Sequence, residues 1–535
     1  MRRVADSVAT ALAAHGVRHA FGMPGGEVVT LIDALEAAGI RFVLARHETA
    51  AAIMAAGAST LTGAPGLLVT TLGPGLANAV NGIADAAQER VPLLVLSGVV
   101  ERPLRGRYTH QVVDQPALLR PLVKASFEIE REGAGATTSR AIALATTPPI
   151  GPVHLDLAPD VAAASDPSEA LATPPRRAVP WIDRDDPSLA ELRSRLDRAE
   201  RPLLLAGFEA ARGGAAPAVA RLAEGHRVPV LTTYKAKGLL DENHPLALGA
   251  AGLSPLADQV LKPLVAAADL VLLAGYDPIE MRPSWLDPFP GPARVAELTS
   301  GPLDHGMHAA GTVLHGPVAT LLDALAESLE PRQRWPNGEL ATARARLEEL
   351  FAPPAAWGPH AIVDVLGAVP EDAIVTVDSG AHRILLSQRW KARRPLSLLQ
   401  SAGWCTMGAA LPLAIGAKLT APDRPVIAVL GDGGLEMTLG ELGSLRDQHL
   451  PVVIVVLQDE SLALIELKQR QAGLAEAGVA LGRSRYEEIA AAFDGAGVRV
   501  RDVGALRAAL AAALERRVFT LIACEIEAGA YVDRI

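Results

Sequence analysis

The sequence predicts an α/β protein made of three doubly wound parallel-sheet domains. Apolar strand-like runs alternate with helical stretches three times over along 535 residues, which is the rhythm of parallel sheets covered on both faces. At roughly 150 residues per domain, that length suggests three or four domains. Half of the residues are hydrophobic and 21% are charged, a packed composition that excludes disorder and fibrous structure.

The first domain is expected over residues 1–165. MRRVADSVATALAAHG lacks an apolar run because Asp6 and Ser7 interrupt it, so it reads as a first helix and not as a signal peptide. HAFGM, RFVLAR, GLLVTT, PLLVLSG and VHLDLA are strand candidates, and the Ala-rich stretch from Thr49 to Leu61 is a helix between them. Residues 161–185 turn rich in Ala, Ser, Asp and Pro, the composition of a linker. The second domain, 185–330, offers RPLLLAG, VPVLTTY, DLVLLAGYD and ARVAELT as strands. LATARARLEELF is a charged helical bridge to a third domain at 355–535, whose strands are AIVTVD, PVIAVLGD, PVVIVVLQD and FTLIACEIE. No short-period repeat is visible.

Several function classes fall away. With 60 acidic and 50 basic residues the formal net charge is −10, which argues against a nucleic-acid or anionic-membrane partner while leaving room for a local phosphate pocket. Aromatics are only 4%, too few for stacking platforms on single strands. Cys405 and Cys524 are far apart and form no Cys-x-x-Cys pair, so neither a thiolate zinc site nor a disulfide framework is expected. No run of about 18 apolar residues occurs, so no membrane span is expected. A soluble cytoplasmic protein is the default.

The richest segment is RPVIAVLGDGGLEMTLGELGSLRDQHLPVVIVVLQDESLALIELKQ, 424–469. It parses as strand, Gly-Asp-Gly-Gly turn, helix, strand, acidic turn, helix. A right-handed crossover lays the two strands parallel. Asp432 and Asp459 then follow strand C-termini, where open α/β sheets bind ligands. Two carboxylates in one crevice suit magnesium, which takes carboxylate, phosphate and water oxygens. Gly431, Gly433 and Gly434 let backbone approach a phosphate at a helix N-terminus. A lone GDG would favour a surface turn with solvated aspartates. The second acidic turn after a second buried strand shifts the balance to the metal. The dinucleotide fingerprint fails, because position 436 is Glu and not the third glycine.

This stretch resembles the thiamine-diphosphate motif: GDG, about two dozen residues, then Asn-Asn or a variant. Residues 434–457 separate Gly433 from Gln458 here. The resemblance implies Mg2+ held by Asp432, Asp459 and the Ser461 carbonyl. Asp459 stands where Asn is usual, as in the catabolic acetolactate synthases. The order FGMPGG (21–26), RHE (46–48), TTLGPGLANA (70–79) is similar to thiamine-diphosphate carboligases and decarboxylases. Alone, Glu48 would read as a first-turn acid complementing the helix dipole. By resemblance it contacts the aminopyrimidine of thiamine diphosphate, where a carboxyl of raised pKa moves the proton that must leave thiazolium C2. The cofactor contacts so implied are Pro24, Gly25, Gly73, Pro74, Gly75, Gly431, Gly433 and Gly434, with Met407 beneath the bent cofactor and the Cys405 carbonyl beside its amino group. The Cys405 side chain is expected to be a buried inert thiol.

The resemblance spans nearly the whole chain and is nearest to the catabolic, FAD-independent acetolactate synthases. GPVHLDLAPDV (151–161), VPVLTTYKAKGLL (228–240) and ADLVLLAGYDPIEMRPSW (268–285) carry it. THQVVDQPALLRPLVKAS (109–126) resembles the loop that brings a glutamine to the site, which implies roles for His110 and Gln111. Simple decarboxylases carry a His-His pair there, a catalytic Glu where Ile465 stands, and in one group a histidine near Leu72. These differences favour carboligation. No FAD signature comparable to the anabolic enzymes is present, so FAD is not expected. Glu27 replaces a Lys and Leu462 a Tyr of the catabolic enzymes; either both lie near the acceptor substrate, which would imply a different acceptor, or both are peripheral.

The expected reaction decarboxylates a 2-oxo acid, pyruvate by resemblance, and joins the acyl unit to a second carbonyl. Pyruvate as acceptor gives 2-acetolactate; an aldehyde or a proton gives an acyloin or an aldehyde. A decarboxylase or acyloin-forming lyase with another substrate stays open, as does a non-catalytic thiamine-diphosphate-binding subunit. In this family two subunits complete each site, so a homodimer or homotetramer is expected.

Overall fold

The computed structural model describes residues 2–168, 186–327, 329–352, 356–532 and 535. Most of the proposed linker, 169–185, lies outside them. Among the described residues are three six-stranded sheets in which every pairing is parallel. The first holds β1 (His19–Gly22), β2 (Arg41–Leu44), β3 (Gly66–Thr70), β4 (Leu93–Gly98), β5 (Ser126–Glu128) and β6 (Val153–Leu157) in the order β2-β1-β3-β4-β6-β5. The second holds β7 (Pro202–Ala206), β8 (Val230–Thr232), β9 (Ala247–Ala250), β10 (Leu270–Ala274), β11 (Val295–Thr299) and β12 (Thr312–His315), ordered β12-β11-β10-β7-β8-β9. The third holds β13 (Ile374–Val377), β14 (Leu398–Leu399), β15 (Val426–Gly431), β16 (Val453–Gln458), β17 (Ala496–Val500) and β18 (Thr520–Glu525), ordered β14-β13-β15-β16-β18-β17.

The first and third sheets share one strand order, a structural repeat that the sequence does not display. The middle sheet has the 3-2-1-4-5-6 order of dinucleotide-binding folds. Central strands are buried on both sides, as in Leu67–Leu68–Val69 and Ile454–Val455–Val456, because helices cover both faces.

The helix Glu48–Thr62 joins the first sheet to the third. Nearly all of it is buried, on every side, as expected of a helix enclosed between layers. Its alanines keep it slim. The helix Ala410–Thr420 crosses it so closely that a Cβ on Gly416 would sit 2.1 Å from the Met54 carbonyl oxygen, and one on Gly57 2.9 Å from that of Leu413. Glycine is required at both positions because the obstacle is backbone. This contact fixes the start of the first helix, and with it Glu48, relative to the third sheet. Among the described residues no helix is long and apolar enough to cross a membrane.

Candidate active site

β15 and β16 are neighbours, with Gly431 opposite Leu457. Asp432 and Asp459 therefore leave adjacent strands on the same edge of the sheet. A short helix starts at Asp432 itself, without an intervening turn. Asp432 accepts hydrogen bonds from the Gly433 amide at 2.9 Å and the Glu460 amide at 2.7 Å. Asp459 accepts one from the Ser461 amide at 3.3 Å. Burial raises the pKa of both carboxyls, and Asp459, with Asp432 beside it, is pushed up to about 7. Two buried carboxylates side by side favour a hard cation between them.

These aspartates line a cavity of about 480 Å³, together with Gly431, Gly433, Gly434, Ser461, Met407 and Cys405. Several features of it fit a phosphorylated cofactor. The His382 Nε2 and Ser379 Oγ atoms are buried without a hydrogen-bond partner, and both residues line the cavity. Burial, with the Arg383 charge adding, pushes the His382 pKa down to about 3, so its ring is neutral. A Cβ on Gly434 would lie 1.9 Å from Asp378 Oδ2, so this turn has no room for a side chain. Asp378 in turn accepts the Gly408 and Ala409 amides at 2.9 and 2.8 Å, which anchors the segment carrying Met407. Burial pushes its carboxyl up to about 6 against those two bonds.

Glu48 is 6% exposed. The Asn78 side-chain amide donates to its Oε2 at 3.1 Å. The chain entering its helix is held from the third domain: Glu441 Oε1 accepts the Arg46 amide at 2.9 Å and the His47 amide at 3.1 Å. Gly73, at φ +55, leaves no space for a Cβ, which would meet the Gln111 carbonyl oxygen at 2.1 Å. Gln115 Oε1 accepts the Gly73 amide at 3.1 Å, and its Nε2 donates to Asp156 Oδ1 at 2.7 Å. The Gly73-Pro74-Gly75 turn, Gln111 and the tip of its loop thus form one unit, which borders a separate cavity of about 580 Å³. Pro24 is exposed and Gly25 half-buried at the end of β1. His110 and Gln111 are exposed, as are Val112 and Val113.

The structure therefore gathers Asp432, Asp459, Ser461, Met407, Cys405 and the three glycines into one cavity. It leaves Glu48, Gly73, Pro74 and Gln111 off that cavity's wall within a single chain. One expectation is corrected: Cys405 is exposed, not buried. Its backbone stands at φ +58, and its Sγ accepts from Arg383 at 3.3 Å and donates to the Ala402 carbonyl at 3.1 Å. Asp378, His382, Gln115 and Glu441 escaped the sequence reading. Of these only Asp378 carries a signal, an acid directly after a buried strand, like Asp432.

The first 117 positions after the initial residue match decisively. Residues 2–118 fit the model "Thiamine pyrophosphate enzyme, N-terminal TPP binding domain", 189–325 the central domain, and 378–524 the C-terminal TPP binding domain. The chain belongs to the thiamine pyrophosphate enzyme family. It is a thiamine-diphosphate-dependent enzyme, similar to acetolactate synthases. An acetolactate synthase of Bacillus subtilis (strain 168) is 31% identical over 93% of this chain and 88% of its own length. A protein named catabolic acetolactate synthase, from Raoultella terrigena, is 28% identical over 96% and 92%. A probable 2-ketoarginine decarboxylase of Pseudomonas aeruginosa is 32% identical over 85% and 81%.

Proposed function

We propose that this enzyme is a carboligase that decarboxylates a 2-oxo acid and joins the acyl unit to a second carbonyl, with pyruvate as substrate and 2-acetolactate as product. The observation that carries this reading is the wall after Ser461. Leu462, Leu464 and Ile465 face the cavity, while Glu466 turns away to accept from the Ser461 hydroxyl. Ile465, and not an acid, stands at the position where the simple decarboxylases carry a catalytic Glu, and its apolar neighbours disfavour water there. A second carbonyl is then the better acceptor.

When bound, thiamine diphosphate supplies the nucleophilic carbon and the electron sink. Asp432, Asp459 and the Ser461 carbonyl hold Mg2+, and Gly431, Gly433, Gly434 and His382 receive the diphosphate. Met407 and the Cys405 carbonyl support the pyrimidine. Glu48, enclosed and steadied by Asn78, holds a proton at the pyrimidine nitrogen. Residues 1–165 form the pyrimidine-binding domain, 185–330 a central domain without FAD, and 355–535 the diphosphate domain.

Glu48 and Asp432 meet across a dimer, which is supported by their separation within one chain and by the exposed Val112, Val113 and Trp404. Glu48→Gln and Asp432→Asn chains, each inactive alone, should regain about a quarter of the sites on mixing, since each mixed dimer has one intact site. No recovery after confirmed subunit exchange would sink the shared-site reading. The reaction itself is tested by NMR with pyruvate, thiamine diphosphate and Mg2+, without added FAD. Acetolactate is expected. Acetaldehyde alone would favour the decarboxylase reading that the Pseudomonas relative's name suggests.

A further inference from the structure

Outside the Asp432–Asp459 cavity, one place among the described residues brings three metal-ligating side chains together. Glu297 stands in the middle of β11, and His305 and His308 lie in the segment that joins β11 to β12. With one ligating atom taken from each, all three fall within 4.8 Å of one another. His308 Nε2 is 2.7 Å from Glu297 Oε1, and His305 Nε2 is 3.9 Å from the same oxygen. The two imidazole rings are 4.5 Å apart between centroids. None of the three residues lines the cavity of Asp432 and Asp459, so the cluster is a separate place in the fold.

An ordinary ion pair accounts for this arrangement poorly. Half-buried glutamates elsewhere are matched with arginine, as Glu339 is with Arg201 and Glu525 with Arg501. Among the described residues no lysine or arginine meets Glu297; the two imidazoles do. His308 is enclosed, its side chain only 3% exposed, with the Tyr276 and Phe289 rings centred 5.6 and 5.1 Å from its own. Its Nδ1 is buried without a partner, so Glu297 alone fixes which ring nitrogen carries the proton. Burial, followed by the repulsion of His308, lowers the His305 pKa, which favours a neutral ring with a lone pair to give. The Glu297 carboxylate thus lacks a permanently charged counter-ion, and a cation seated among the three side chains supplies one.

We propose that Glu297, His305 and His308 form a second metal site, which takes a divalent transition ion of the zinc class and ties the segment after β11 to the central sheet. Two imidazoles and a carboxylate suit zinc, and not the magnesium expected on oxygen ligands at Asp432 and Asp459. Three protein ligands leave a fourth position to water. Zinc at about 2.0–2.1 Å from each ligand holds the ligating atoms roughly 3.3 Å apart, a spacing that the 2.7 and 3.9 Å separations bracket. Each ring ligates through Nε2 and keeps its proton on Nδ1. His308 Nδ1 has no bond to lose by this. His305 Nδ1 accepts the Met307 amide at 3.3 Å, a long bond that ligation must release, so His305 is the weaker ligand. The site stands whether or not the enzyme is a carboligase.

The probe is Zn2+, titrated by calorimetry into holoenzyme saturated with thiamine diphosphate and Mg2+, with Co2+ as a coloured substitute. One Zn2+ per chain is expected, and Co2+ should show the visible bands of a four-coordinate ion. His308→Ala should weaken Zn2+ binding on the order of 100-fold, since even the outer-shell partner of a metal ligand is worth roughly 10–100-fold. His305→Ala, at the weaker and more exposed ligand, should weaken it about tenfold, and it decides the matter should His308→Ala fold poorly. Asp432→Asn should leave this affinity unchanged. With Zn2+ at about 100 times its dissociation constant, amide exchange in a peptide spanning 300–311 should slow by up to about 100-fold, and the slowing should vanish in His308→Ala. Absence of stoichiometric Zn2+ binding by the wild-type holoenzyme would overturn the proposal. So would Zn2+ binding that survives both histidine substitutions, or that is lost in Asp432→Asn alone, which would place the ion in the catalytic cavity.

Discussion

Replacing Glu441 with Ala should loosen the start of the Glu48 helix from 395 residues away in sequence. Glu441 is 1% exposed. One of its oxygens accepts the backbone amides of Arg46 and His47, and the other accepts the Ser444 hydroxyl at 2.7 Å. Burial raises its pKa, opposed by those three donors. A hydrogen bond to a charged group contributes about 1.5–3 kcal/mol net, so losing the two amide bonds costs about 3 kcal/mol at the low end. At 1.4 kcal/mol per factor of ten, these amides should exchange roughly 100-fold faster. Hydrogen exchange by mass spectrometry, on a peptide containing residues 46 and 47, measures this locally without assuming that a multidomain chain unfolds in one step. Glu441→Gln, whose neutral carbonyl still accepts both amides, should fall between, within about tenfold of the wild-type rate. Exchange in Glu441→Ala within about threefold of wild type would show that the third domain does not hold this helix start, since threefold is far below the loss expected from two bonds.

Three other perturbations follow from the same geometry. Burial pushes Glu280 up to about 7 from 4.5, so its contribution to stability is complete below about pH 4.5 and is lost as pH rises through about 7. Glu280→Gln should therefore gain on the wild type by about 3 kcal/mol at most between pH 5 and 8, seen in melting curves across pH; a pH-independent difference would contradict this. Gly434→Ala drives a methyl into Asp378 and should destabilise by about 2 kcal/mol while weakening thiamine diphosphate binding in calorimetry; unaltered binding would remove Gly434 from the cofactor cradle. Asp459→Asn should raise the melting temperature in EDTA, because one of two adjacent buried carboxylates is gone, and should retain a response to Mg2+; complete loss of that response would remove the position from the metal shell.

What was legible in the sequence follows from burial. The interior strands β1, β3, β4, β6, β7, β8, β10, β11, β13, β15, β16 and β18 appear as apolar runs because both their faces are covered. The strands that left no such trace, β5, β9, β12, β14 and β17, all stand at sheet edges. There one face or one ladder meets solvent and no continuous apolar run is needed; β17 is half-exposed along AGVRV. The edge strand β2 was visible only because RFVLAR is apolar by itself. In the site, Asp432 and Asp459 were visible because each ends a buried strand, and Glu48 because of the motifs around it. Glu441, Gln115 and His382 lie inside helices and loops with nothing unusual beside them, and they act on partners brought near only by folding. The exposure of Cys405 depends on where the loop 401–408 lies in the fold, which cysteine composition does not encode.

The charge map of the cavity explains why one fold edge hosts acids and cations together without pairing them. Asp432 accepts the Gly433 amide of its own turn and the Glu460 amide of the neighbouring loop, and Asp459 accepts the Ser461 amide, so backbone donors and not guanidiniums meet both carboxylates. Arg383 is held on the Ser401 carbonyl and Cys405 sulfur, which neutralise nothing. Had these three charges paired internally, the fold would be better satisfied and the cavity would offer less to a metal or a diphosphate. Internal satisfaction is instead spent on scaffolding: Asp378 on the Met407 segment, Gln115 on the Gly73 turn, Glu441 on the Glu48 helix. Asp378, Gln115 and Glu441 are buried and bonded to the segments they hold, whereas His382 and Ser379 on the cavity wall each keep an orphaned atom. This division separates His382, with its free Nε2, from Asp378 four positions earlier, although both are buried and both have strongly shifted pKa values.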